Sequence, residues 1–352
     1  MEVNQMIAPD AATLRQQWQA LRDDNPQLRI RNAAEQLGVS EMMLLLTEPE
    51  SRVQRLQARF PTLYQDLPLL GRVMTLARND EVVHETTGVM GKFSVTGNGN
   101  MGLCLGAIDL RVFFSHWRHG YAVTESGPRG ERHSLQFFDA AGGALHKVYA
   151  VAETDMAAWQ ALVQRYRAEQ QRPELVLEEL PRLRRHVGPV DSEALRADWE
   201  AITDVHQFHD MLQKHKLDRL TALERIGTDW AFPVPAASLE TVLHHAARTA
   251  LPVMVFVGNR GIVQIYTGTV KKLVSIPRWF NVLDADFNLH VLQSGIHATW
   301  VVRRPSEDGV VTSLDGFNAH GELVFSVFGE RKPGVPELAG WRALMAELEA
   351  LA

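Results

Sequence analysis

Cysteine is nearly absent. Cys104 is the only one in 352 residues, so no disulfide can close within the chain, and Cys-rich zinc or iron–sulfur sites are excluded. Long apolar runs are missing as well. Leu251 to Val257, interrupted by Pro252, falls far short of the ~20 residues needed to cross a bilayer, so membrane insertion is not expected. No basic residue precedes Arg15 while Glu2 and Asp10 do, which is not the pattern of an export signal, and a cytoplasmic location is expected. Positive charge is not in excess: 36 Lys and Arg stand against 42 Asp and Glu, a formal charge of −6. Binding a phosphate backbone through bulk charge is therefore disfavoured.

What the chain does have is written twice. LRQQWQAL from Leu14 recurs as LRADWEAI from Leu195, an offset of 181. TTGVMGK from Thr86 echoes YTGTVKK from Tyr266, and FFDAAGGALHKVY from Phe137 echoes GFNAHGELVFSVF from Gly316, at offsets of 180 and 179. WQAL from Trp159 recurs as WRAL from Trp341. The order is kept and the spacing is about half the chain, so one large unit is duplicated. The expected division is 1–172 for the first repeat, 173–190 for a charged, Pro-containing linker, and 191–352 for the second repeat.

Each copy opens on helical spacing: Leu14, Trp18 and Leu21 in one, Leu195, Trp199 and Ile202 in the other. The period then changes to two, as in Ile108, Leu110, Val112 and Phe114, with turn residues such as NGN, AAGG and NAHG between the runs. Each copy closes on a helix, around Trp159 and around Trp341. The expected fold class is α+β, each half an antiparallel β-sheet with N-terminal helices and a closing C-terminal helix.

Several motifs are decoys. Gly97, Gly99 and Gly102 spell GxGxxG, but strand follows where a dinucleotide site needs a helix. GVMGKF from Gly88 lacks the spacing and hydroxyl of a phosphate loop, and GxSxG and HExxH do not occur. His244 and His245, adjacent on a helix, point about 100° apart and read as ordinary half-buried residues. AAEQLGVSEMMLLL from Ala33 has the outline of a helix-turn-helix, but its second helix offers Glu41, Met42, Met43 and leucines to a groove. An αα corner packed on the sheet is the better reading, and nucleic acid is not an expected partner.

One position breaks the symmetry. At an offset of 178, Leu28 of the first copy lies opposite His206 of the second. Asp204 and Gln207 fit a capping box that starts a helix near Val205 and sets His206 in its first turn. His209 follows one turn later. A lone histidine on an amphipathic helix is more often structural than a ligand, and spacing alone leaves both open.

DVHQFH after a duplicated LRxxW helix, GAIDLRVFF in the first copy and FSVFGER near the end together resemble the HemS/ChuS/PhuS family of bacterial cytoplasmic haem-trafficking and haem-degrading proteins, over essentially the whole chain. The resemblance implies haem b as cargo or substrate. It also implies His206 as the axial iron ligand and Arg111 over the opposite haem face. Phe113 and Phe256 would pack on the porphyrin, and Arg219 and Arg331 would lie near its propionates. His209 could substitute for His206. Where relatives carry Lys this chain has Arg304, and where they carry Tyr it has Phe328, which keeps a charge at the first position and removes a hydroxyl at the second.

The chemistry of the residues agrees. Imidazole ligates haem iron, and a flat apolar disc with two carboxylates calls for aromatic walls and guanidinium at its rim. Strand parity puts Arg111 and Phe113 on one face, where Asp109 is also available as an ordinary salt-bridge partner. Two functions fit: a haem carrier of iron acquisition, which receives haem and passes it on, and a haem oxygenase-like enzyme in which Arg111 hydrogen-bonds a ligand on the iron. A haem oxygenase or a haem uptake transporter would be the natural partner of a carrier.

Overall fold

The computed structural model describes residues 11–127, 130–204, 207–332 and 334–350. Its contacts divide the chain into two compact units. One comprises Met1–Ala77, Thr86–Pro181 and Asn259–Val263; the other comprises Arg78–Glu85, Arg182–Gly258 and Gln264–Ala352.

The first half of the chain runs α1 (Ala11–Asp24), α2 (Ile30–Leu37), α3 (Glu41–Leu45), β1 (Val53–Arg55), α4 (Phe60–Asp66), β2 (Gly71–Arg78), β3 (Val82–Val89), β4 (Phe93–Val95), β5 (Met101–Cys104), β6 (Asp109–Phe113), β7 (His119–Gly127), β8 (Gly130–Phe138), β9 (Ala144–Thr154) and α5 (Met156–Tyr166). Within the first unit, β1, β7, β8, β9 and β2 pair antiparallel in that order, and β4, β5 and β6 form a second antiparallel set. Its main core gathers Phe60, Tyr64, Trp117, Phe137 and Trp159.

The second half runs α6 (Ser192–Glu200), α7 (Gln207–His215), α8 (Arg219–Ile226), β10 (Ala231–Val234), α9 (Ser238–Thr249), β11 (Val253–Asn259), β12 (Ile262–Gly268), β13 (Leu273–Ile276), β14 (Trp279–Leu283), β15 (Phe287–Leu292), β16 (Ala298–Arg304), β17 (Val311–Phe317), β18 (Leu323–Gly329) and α10 (Ala339–Glu349). Here β10, β16, β17, β18 and β11 pair antiparallel, as do β13, β14 and β15. The fold is α+β and duplicated. Residues 168–190 form neither helix nor strand, and Leu175 and Leu177 of that stretch pack against the first unit.

The repeat is exact enough to be read in hydrogen bonds. α2 ends at Gly38 with φ of 65°, its successor Val39 N–H bonding to Ala34 O; α7 ends at Lys216 with φ of 54°, and Leu217 N–H bonds to Leu212 O. Ser40 then caps α3 through Met43 N–H, and Asp218 caps α8 through Thr221 N–H. A left-handed residue costs little at glycine and more at Lys216, so the second copy has kept the turn at some strain. In the sheets, β8 and β9 pair Ser134 with Tyr149 and Gln136 with Lys147; β17 and β18 pair Ser313 with Phe328 and Asp315 with Ser326, with the bulge at the equivalent place.

The helix-turn-helix outline resolves as an αα corner. Ala33, Ala34, Met42, Leu44 and Leu45 are all buried, so α2 and α3 spend their apolar faces on packing. His244 departs from expectation: it is exposed, on the outward side of α9 one turn from Glu240, and only its neighbour His245 is half-buried.

Lys147 of β9 and Glu41 of α3 form an ion pair at 10% and 6% side-chain exposure. Burial would lower the Lys147 pKa, but Glu41 more than reverses this and holds the ammonium above its ordinary range. Breaking a buried pair strands a charge, whereas replacing both partners with apolar side chains of similar size is close to neutral. We therefore expect Lys147→Ala to lose ~3–5 kcal/mol in urea unfolding and the double variant Glu41→Leu/Lys147→Met to recover most of it. Equal losses for the two would contradict this view of the pair.

Candidate functional site

The five-stranded sheet of the second unit has two unlike faces. Val255, Val301, Leu314 and Val327 point into the core shared with α9 and α10. On the other face, residues of α6, α7 and α8 cover Ala231, Val302 and Phe317. Register carries that same face onward: Ser313 opposes Phe328, Asp315 opposes Ser326, Met254 opposes Phe328, and Phe256 opposes Ser326. Met254, Phe256 and Phe328 are only half-buried, and the rings of Phe256 and Phe328 meet edge-on at 5.1 Å.

Beside this apolar strip lies a charge cluster. Asp315 is completely buried. Arg304 Nη2 donates to its Oδ2 at 2.9 Å, and Arg219 Nη1 donates to the same oxygen at 3.4 Å. Arg304 Nη1 donates to Ser313 Oγ at 2.9 Å, so the buried Arg304 has both terminal nitrogens engaged. Arg219, at the first position of α8, is fixed by its neighbour Asp218, whose carboxylate accepts from Thr221 N–H, Thr221 Oγ1–H and His186 N–H. Its side chain keeps 32% exposure, and among the described residues its one hydrogen bond is to Asp315, of the five N–H donors a guanidinium carries.

The pKa directions follow. Burial would raise the Asp315 carboxyl, but Arg304 and Arg219 overcome this and hold it below the ordinary carboxylate value. Burial, aided by the charge of Arg304, lowers Arg219 to about 10 against the pull of Asp315, which leaves it protonated at neutral pH. Two guanidiniums and one carboxylate leave one positive charge.

The first unit carries a second open face, on β5 and β6. Arg111 and Phe113 share it, as parity required, and register sets Leu103 opposite Arg111 and Met101 opposite Phe113. Leu103, Met101 and Leu105 are exposed. Arg111 pairs with Asp109, whose carboxyl burial raises and Arg111 only partly restores. The result is an apolar surface with one guanidinium in its middle.

The structure thus brings Arg219 and Arg304 together, and Phe256 and Phe328 together, on one face of the second unit. Arg331 follows β18, and its Nε is buried without a hydrogen-bond partner among the described residues. His209 is exposed, with Nε2 2.9 Å from the Gln213 amide. His206 and Val205 lie outside the described residues. Gln207 does open α7, and its Oε1 accepts from Thr203 N–H and Asp204 N–H, the backward-reaching half of the expected capping box.

Sequence reasoning missed Asp315, Phe208, Met254, Met101 and Leu103. The alternation in MGLCL could have supplied Met101 and Leu103; nothing local signals that Asp315 joins two arginines. Among the described residues no group of three or more His, Cys, Asp or Glu could hold a metal ion.

A cationic patch with unspent N–H donors beside half-buried aromatic rings suits a flat apolar ligand bearing carboxylates. The class is therefore a duplicated α+β protein whose second unit carries a cationic, aromatic face.

Comparison with known proteins makes the class specific. The family profile described as the haemin-degrading HemS.ChuX domain matches residues 38–166 and 216–348, once per repeat. Hemin transport protein HmuS of Yersinia pestis is 37% identical over 337 residues, which is 96% of this chain and 97% of that protein. The crystal structure of holo-PhuS, a heme-binding protein from Pseudomonas aeruginosa, superposes with a TM-score of 0.92 at 41% identity over 97% of this chain and 99% of that one. The Escherichia coli O157:H7 heme degrading enzyme ChuS gives 0.90 at 36% identity over 96% and 99%. The chain belongs to the HemS/ChuX family.

Asp315 supplies a pH test of the cluster. A depressed carboxyl stabilises the fold fully above its unfolded pKa of ~3.9, and this contribution disappears as pH falls through the lower folded value. The stability gap between wild type and Asp315→Asn should be constant from about pH 7 to 5 and shrink below ~4, read as urea midpoints. A gap independent of pH would mean that Asp315 does not carry its charge in the fold.

Proposed function

We propose that this protein binds one haem per chain, as a cytoplasmic member of a haem uptake and iron utilisation system that receives haem and hands it on. The observation that carries the reading is the Arg219–Asp315–Arg304 cluster beside the Phe256 and Phe328 rings: one unspent guanidinium for a propionate, and apolar edges for the macrocycle. Charge-assisted hydrogen bonds of this kind contribute ~1.5–3 kcal/mol each.

In this reading His206 is the axial ligand, with His209 one turn away as a substitute. Arg219 and Arg331 meet the propionates, and Arg304 keeps the patch positive from beneath. Phe256, Phe328 and Phe113 pack on the porphyrin. Arg111 serves the opposite haem face, where its permanent charge keeps it from ligating iron but lets it donate a hydrogen bond to an iron-bound ligand. Of these residues Arg111 and Phe113 belong to repeat 1–172 and the others to repeat 191–352, with 173–190 as the linker of the proposed division. The names of its relatives, a hemin transport protein and a heme-binding protein, support binding and delivery. A haem uptake transporter would be the donor and a haem oxygenase the acceptor. Among the described residues no helix is long and apolar enough to cross a membrane.

The alternative is haem degradation, favoured by the relative described as a heme degrading enzyme and by Arg111 on its apolar face. Haem would then be both cofactor and substrate.

His206→Ala is expected to weaken the ferric Soret complex about tenfold or more, while Leu28→Ala leaves it intact. Equal behaviour of the two would contradict a ligand confined to the second repeat. Carrier and enzyme separate on adding a reductant and oxygen to the haem complex with catalase present. Bleaching that catalase suppresses supports the carrier; catalase-insensitive conversion to a defined tetrapyrrole with iron release makes it an enzyme.

A further inference from the structure

Arg219 and Arg304 do more than share a carboxylate. Both guanidiniums lie over one ring, that of Phe208, at 4.9 Å and 4.6 Å from its centroid. Phe208 is the second residue of α7, 3% exposed, and its ring stands edge-on to Trp199 at 5.1 Å and 87°. Trp199 is fully buried and its indole N–H donates to Arg303 O at 3.0 Å, next to Arg304 on β16. A rigid chain therefore runs from β16 through α6 to the face of the Phe208 ring.

The two cations are held unequally. Arg304 has short bonds to Asp315 and Ser313; Arg219 has one long contact, 3.4 Å, to an oxygen already used by Arg304. Like charge from Arg304 pushes Arg219 away, and the negative face of an aromatic ring is what remains to hold it.

The first repeat provides an internal comparison. At the same offsets, Arg219 corresponds to Glu41, Arg304 to Glu125 and Asp315 to Gln136, and Phe208 corresponds to Ile30. Where the guanidiniums are missing, so is the ring. Ile30 is half-buried and packs at the margin of two apolar clusters, so the first repeat has neither the ring nor the guanidiniums at these positions.

We propose that Phe208 is a positioning residue that holds Arg219 in place to receive a haem carboxylate, without touching haem itself. This rests on the haem-binding reading above. The test compares haem with haem dimethyl ester, which has the same ring and iron but no carboxylates, in wild type, Phe208→Leu, Arg219→Gln and the double variant. Phe208→Leu should weaken haem about fivefold and leave the ester within about twofold of wild type, and in the Arg219→Gln background it should add nothing further. Phe208→Met, which fills the volume without a ring, repeats the comparison should Phe208→Leu melt early. Equal losses for haem and ester would reduce Phe208 to a packing residue, and unchanged haem affinity would also overturn the proposal. Wild type binding neither ligand would instead refute the haem reading, and this proposal with it.

Discussion

Two arginines meet on a single buried carboxylate oxygen, and the rest of the site is arranged around that fact. Asp315 cannot neutralise both Arg219 and Arg304, so a net positive charge persists on a cluster in which Asp315 and Arg304 are buried and Arg219 is part-exposed. Such a charge is tolerable only when paired, hydrogen-bonded or supplied with an anion. Arg304 is satisfied from within the sheet. Arg219 has, among the described residues, one long hydrogen bond to Asp315, and the half-buried Met254, Phe256 and Phe328 of the same sheet face favour an apolar ring. An anionic, flat, mostly apolar ligand answers both needs at once.

Duplication shows how little of this is dictated by the fold. The two repeats share cap positions, turn geometry, strand register and even the bulge between the last two strands. In the first, the equivalent ground is closed by the Glu41–Lys147 ion pair and by the contact of Gln136 with Ser134, polar groups that satisfy each other. In the second, Arg219, Arg304 and Asp315 stand at the positions of Glu41, Glu125 and Gln136. The same backbone carries two different sets of side chains on this ground, and the difference between the repeats lies in a handful of positions.

Much of the architecture was legible in the sequence because duplication and periodicity are local, repeated signals. Offsets near 179 fixed the repeat, and period-two alternation placed Arg111 and Phe113 on one face of β6. Partners distant in the chain were not legible. Arg219 and Asp315 are 96 residues apart, and Glu41 and Lys147 are 106 apart; their pairing depends on how α3 and α8 lie across their sheets. Phe208 sat inside a motif read for its histidines, and its value appears only when two guanidiniums are seen over its ring. Arg304 is legible in the sequence only as a charge where relatives carry Lys; its burial and its bonds to Ser313 and Asp315 appear only in the fold.

The most direct measurement is an anomalous-difference map at the iron edge from crystals grown with haem. The account predicts one iron peak per chain, on the side of the second repeat that carries Met254, Phe256 and Phe328, with a propionate on Arg219. Iron over the Glu41–Lys147 ground of the first repeat, or two peaks of equal height, would contradict it.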